Sequence, residues 1–228
     1  MNWKQLTMAF VTALGIATTA VAQTAELKII STSPTYARFI HAVPGATAMN
    51  CRLDRVDVFS NVPYGSAKGY VPKAPGSYLL DLTTPYGLTN FVAPDPLTLW
   101  GGIDTTILAV GSVGGAPPIE TAIVKVPRYR VPWNEAHLIF IHAVPDAPPV
   151  DVLVDSAFAA PGLPYKGFEP PYPVKRGYHT VEVKLGGETI LGPARYRTDG
   201  ARKHTFVIMG TGDPTDGYPL MIKQFISQ

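Results

Sequence analysis

In the stretch "ARFIHAV" at residues 37–43, an extended chain puts Phe39, His41 and Val43 on one face and Arg38, Ile40 and Ala42 on the other. The segments "GSYLLDL", "VDVLVD", "GYHTVEVKL", "TTILAVG" and "HTFVIMG" are likewise short, alternating or continuously apolar, and bounded by Gly, Pro or Asp. No window of helical length beyond the first residues carries a 3.6-residue apolar stripe. Short strands at regular spacing with frequent turn residues predict an all-β chain of β-sandwich type.

The strands recur. "FIHAVP" stands at 39–44 and again at 140–145, an offset of 101 residues. At that offset Ala46 meets Ala147, Asp54 meets Asp155, Pro63-Tyr64 meets Pro164-Tyr165, and Gly76 meets Gly177. Farther on the register slips slightly, but "DTTILAVG" at 104–111 still resembles "KHTFVIMG" at 203–210. A period of about 100 residues is domain-sized, so the expectation is two tandem β-sandwiches, residues 23–128 and 129–228. Pro127 and Pro132 in "KVPRYRVPWNEA" break the ladder between them, and Trp133 is expected to pack at the joint.

Composition changes this picture little. Gly and Pro make up about a fifth of the 228 residues and charged residues only 16%, which suits a turn-rich β protein. A formal net charge of +2 is too small to point to nucleic acid, and the basic residues of the second half are interleaved with Thr, Glu and Asp as on a solvated strand face. The N-terminus says more. Residues 1–22 combine Lys4, an apolar run and Ala20-Val21-Ala22, the pattern of a cleaved secretory signal. With that leader removed, no integral membrane segment is expected, and the chain belongs outside the cytoplasm: secreted, periplasmic or on the cell surface. The one cysteine, Cys51, has no partner for an internal disulfide and stands opposite Val152 in the repeat, the place of a small buried hydrophobe.

"FIHAVPDAPPVDVLVD", followed by "LPYKG" and "VKRGYHTVEV", resembles the DUF4397 family of exported bacterial and archaeal domains. The second unit fits through His142, Pro145, Asp146, Ala147, Pro148, Val150, Asp151, Val152 and Gly177. In the first, Gly45 replaces the turn Asp and Met49-Asn50-Cys51 replaces Val-Asp-Val, while "LDRVDVFSNVPYG" reads like the family's second strand and following loop. The resemblance implies antiparallel sandwiches of immunoglobulin-like or transthyretin-like type in a surface setting, and no established reaction.

Candidate chemistry is sparse. His41 with Pro44, and His142 with Pro145 and Asp146, read as a structural motif in which each imidazole bonds backbone of the following turn. A zinc site from His142, His179 and His204 needs three strands to converge, and a calcium site at Asp213 and Asp216 lacks the regular acidic spacing. Tyr64, Tyr70, Trp100, Tyr165, Phe168 and Tyr172 lie near predicted loops, where exposed rings stack on sugars or anchor a protein. No serine elbow, zincin, phosphate-loop or Cys-x-x-Cys signature is present, so neither a catalytic site nor a cofactor is expected. The expectation is a non-enzymatic binding, adhesion or structural module whose partner is a surface protein, a glycan or another copy of itself. Exposed strand edges offer such a module a second docking route. A carbohydrate-binding module is the alternative, and a hydrolase with an unrecognised site the third reading.

Overall fold

The computed structural model describes residues 33–87, 89–145, 147–213 and 215–227, so the leader expected at 1–22 lies outside the described residues. These form sixteen strands and no helix. The first eight are β1 (Thr35–His41), β2 (Met49–Leu53), β3 (Val56–Val62), β4 (Ala67–Lys73), β5 (Gly76–Thr83), β6 (Asn90–Leu99), β7 (Ile103–Val110) and β8 (Glu120–Pro127). The second eight repeat them in order: β9 (Glu135–His142), β10 (Val150–Val154), β11 (Ala157–Leu163), β12 (Tyr172–Lys175), β13 (Gly177–Leu185), β14 (Glu188–Thr198), β15 (Arg202–Met209) and β16 (Met221–Ile226).

Each copy builds two four-stranded sheets, β3-β2-β5-β6 with β4-β1-β7-β8 in the first and β11-β10-β13-β14 with β12-β9-β15-β16 in the second. The sandwiches are therefore those the repeat predicts, with one difference in pairing. β1 runs parallel to β7 and β9 parallel to β15, so one sheet of each copy is mixed. Met49-Asn50-Cys51 does occupy the place of Val-Asp-Val, in β2, whereas the Val56-Asp57-Val58 lookalike belongs to the next strand, β3.

The repeated aspartates explain themselves locally. Asp54-Arg55 and Asp155-Ser156 carry positive φ at both positions, 52° and 65° in one copy and 48° and 69° in the other, as a two-residue hairpin of the primed type requires. Asp tolerates that region, and here its carboxylate also accepts the N–H of Leu79 or of Thr180 at 2.8 Å, tethering the hairpin to β5 or β13.

Burial gives three hydrophobic cores instead of two. Phe39, Val43, Met49, Leu82, Leu99 and Ile107 close the first sandwich, and Phe140, Val144, Val152, Leu163, Val183 and Phe206 close the second. The third core lies between the copies: Ile40, Leu108, Val110 and Val124 of one meet Ile139, Ile141, Val207 and Met209 of the other. The faces of β1 and β9 that point away from their own interiors thus cover each other. At one end of this seam Arg38 donates from Nε to Thr106 Oγ1 at 2.8 Å and from Nη2 across to Thr205 Oγ1, and it is 3% exposed. At the other, Glu120 accepts Tyr165 Oη at 3.1 Å and pairs with Lys166 at 2.8 Å. Trp133 takes no part, contrary to expectation. Its ring is 70% exposed and stacks under the Arg176 guanidinium, and the seam is filled by strand residues instead of the connector.

Candidate functional site

The repeated histidines end β1 and β9 and turn into their own copies. His41 Nε2 donates to the Thr47 carbonyl at 3.1 Å while Nδ1 accepts the Val43 N–H at 3.2 Å. His142 repeats the pattern with the Pro148 carbonyl and the Val144 N–H, both at 3.3 Å. Each ring therefore closes the turn that Pro44 or Pro145 opens, as a neutral imidazole with both nitrogens engaged. Burial pushes His41 down to about 4, opposed only by the bond to Thr47, and lowers His142 for the same reason. The turn contact proposed for Asp146 lies outside the described residues.

The zinc trio does not assemble. His179 Nδ1 bonds Asp155 at 2.6 Å, and His204 sits between the Asp199 backbone and the Gln224 amide. Among the described residues no group of three His, Cys, Asp or Glu is placed to hold a metal ion. Asp213 and Asp216 accept from Thr215, Thr211 and the Tyr218 N–H, which is turn stabilisation within their own loop. Cys51 is buried in the first core, where desolvation and then the nearby Asp81 and Asp57 raise its thiol pKa far above the ordinary value.

The aromatic candidates divide. Tyr64 and Tyr165, equivalent in the repeat, pack against the seam core, and Tyr172 packs against the second core. Tyr64 stands edge-on to Tyr218 with centroids 5.5 Å apart, and burial holds its hydroxyl up at about 12. Trp100 and Phe168 remain open, 53% and 37% exposed, and the seam brings them from different copies into one shallow groove with Pro96, Thr98 and Lys125. The Lys125 ammonium lies 4.6 Å from the Trp100 ring centre. Strand edges are less inviting. Pro72, Pro94, Pro96, Pro127, Pro161, Pro173 and Pro193 sit in six of the eight edge strands, leaving only β3 and β16 free of a residue that cannot donate to an added strand.

A more elaborate site lies at the Arg38 end of the seam. A cleft of about 310 Å³ is walled by Tyr36 and Tyr70 from β1 and β4, Asp104 from β7, Arg128 and Tyr129 from the connector, and Arg202 and Lys203 from β15. Each ring carries a cation: Arg128 lies 3.7 Å from the centre of Tyr36, Arg38 4.8 Å from that of Tyr70, and Lys203 4.4 Å from that of Tyr129. Tyr129 is fixed by a 2.6 Å bond to His137, and burial raises its hydroxyl. Lys203, 8% exposed, donates to Asp104 at 3.3 Å and to the Pro127 carbonyl at 2.8 Å, and burial lowers it against the pull of Asp104. With Tyr70 alone singled out beforehand, sequence reading missed this cluster, because its members are spread from residue 36 to residue 203 and meet only when the copies dock. The available signal was "PRYR" at 127–130, two cations around an aromatic in the connector between the copies.

Residues 35–143 and 136–223 each match a family described as a domain of unknown function, DUF4397. No curated protein matches the chain.

Proposed function

From the premise that this chain belongs to the DUF4397 family, as two tandem copies, we propose that it is an exported, non-enzymatic binding module of the cell envelope or extracellular space that recognises its partner at the seam. The leader sequence supports export, and among the described residues no helix is long and apolar enough to cross a membrane. The observation that carries the binding reading is the composite cleft. Its walls come from both copies and from the connector, and the third core holds them in register. A recognition surface gains from such fixing because little side-chain freedom remains to be lost on binding.

The test is retention of the mature chain, residues 23–228, on a panel of immobilised polysaccharides and envelope components, compared with an Arg128→Ala/Tyr129→Ala variant. Selective retention that the double variant loses supports the reading; retention that survives it, or none at all, overturns it. A second reading, a carbohydrate-binding module using the other surface, has its own observation in the paired Trp100 and Phe168. Loss of retention in Trp100→Ala/Phe168→Ala, with the Arg128→Ala/Tyr129→Ala variant intact, selects it.

A further inference from the structure

We propose that the seam cleft is a site for a carboxylate-bearing sugar, such as a uronate unit of an acidic polysaccharide; this rests on the seam being the recognition surface. The charge inventory carries the argument. Arg38 and Lys203 are both more than nine-tenths buried, yet at this end of the seam the described residues supply one carboxylate, Asp104, and that one pairs with Lys203. No carboxylate of the described residues lies within 4.0 Å of the Arg38 guanidinium, which is held by two threonine hydroxyls and the face of Tyr70. Buried cations are ordinarily paired, because leaving water costs them several kcal/mol in practice. Among the described residues a net positive charge is thus buried behind a cleft whose mouth adds Arg128 and Arg202. An anion entering the cleft offsets that excess.

Geometry narrows the anion. The guanidinium fork matches a carboxylate with two parallel bonds, and Arg128 and Arg202 stand exposed at the opening. The cleft is also walled by Tyr36, Tyr70 and Tyr129, aromatic side chains of the kind that line sugar sites. The volume is at the low end for small-ligand pockets, room for a short stretch of chain and not for a folded partner. A nucleic acid is a poorer fit, since a patch this small gives few phosphate contacts.

Calorimetric titration of the mature chain with trigalacturonate, its methyl ester and the neutral trimer maltotriose tests this. The acid is expected to bind at least tenfold more tightly than the ester or maltotriose, and raised salt to weaken it. Arg128→Gln/Arg202→Gln, at two exposed positions, is expected to lose at least tenfold while keeping its melting temperature. Equal affinity for acid and ester, or an unaffected double variant, overturns the carboxylate assignment. If acid and ester bind equally and Tyr129→Ala weakens both, the seam remains the recognition surface and only the acid preference fails. If none of the three binds and the panel retention is indifferent to the Arg128→Ala/Tyr129→Ala variant, both readings fail together.

Discussion

Replacing His41 by Gln should remove a defined slope from the pH dependence of stability. In the folded chain the imidazole is fully buried and neutral, its pKa lowered from the usual 6.5 to about 4 because the charged form cannot be solvated there. The unfolded chain accepts a proton near pH 6.5, so it binds more protons than the native state between those two values. Stability is therefore complete above pH 6.5, falls as pH drops through the window, and stops falling on this account below about pH 4. One pKa unit corresponds to about 1.4 kcal/mol, so the loss reaches about 2 kcal/mol at pH 5 and about 3 kcal/mol at pH 4. Urea unfolding at half-unit intervals from pH 7.5 to 4 reads this directly, with 2 kcal/mol moving the midpoint by roughly 1 M. Gln keeps an amide that can donate to the Thr47 carbonyl and does not titrate. His142 contributes its own acid loss equally to both proteins, so the difference isolates His41. Wild-type and His41→Gln curves running parallel through the window would refute a buried neutral imidazole.

Three further outcomes follow from the packing. Leu108→Ala, at a fully buried position of the third core, should cost about 2–5 kcal/mol and lower hydrogen-exchange protection in both copies; a fall confined to the first would show that the seam does not couple them. The Cys51 thiol should not react with a disulfide reagent in native protein and should react completely in denaturant, because its pKa is raised and the atom is buried; native reactivity on mixing would contradict that. Gly111→Ala and Gly210→Ala should each cost about 3 kcal/mol or more in thermal unfolding, since φ is +104° and +111° and the added Cβ would sit 2.2 and 2.3 Å from the carbonyl oxygens of Pro118 and Pro219. Variants that melt within a degree of wild type would show that these loops are free to move aside.

The strands and the two sandwiches were legible because turn chemistry and alternation are local. Asp54 and Asp155 mark hairpins, Gly111 and Gly210 end β7 and β15 where a side chain would strike a backbone oxygen, and "FIHAVP" spells a strand end with its imidazole clasp. The parallel pairing of β1 with β7 was not legible, since strand direction depends on how distant segments meet. The seam had left a trace that was not used. β1, β7, β9 and β15 are apolar on both faces, "FIHAV", "TILAV", "LIFI" and "FVIM", whereas β5 and β13 alternate, and a strand that is apolar on both faces has two cores to serve. Tyr36, Asp104 and Lys203 had no such trace, because a site assembled across a docking surface has no spacing in the chain.

The same contrast bears on why the copies stay joined. A separated copy would expose the seam face of its inner sheet, including Ile40, Leu108 and Val124 or Ile139, Ile141 and Val207, a continuous apolar patch of the kind that soluble domains cover. Covering it with the other copy adds a core to a fold that has a single thiol and no disulfide to constrain it. Closure is apolar along the middle of the seam, and at one end it gives way to Arg38, Asp104 and Lys203. A purely structural seam would gain more from ordinary hydrophobes there, since buried ion pairs are weak contributors to stability. The cations stand where the layers part into a cleft, and that placement is the physical support for the recognition proposed there.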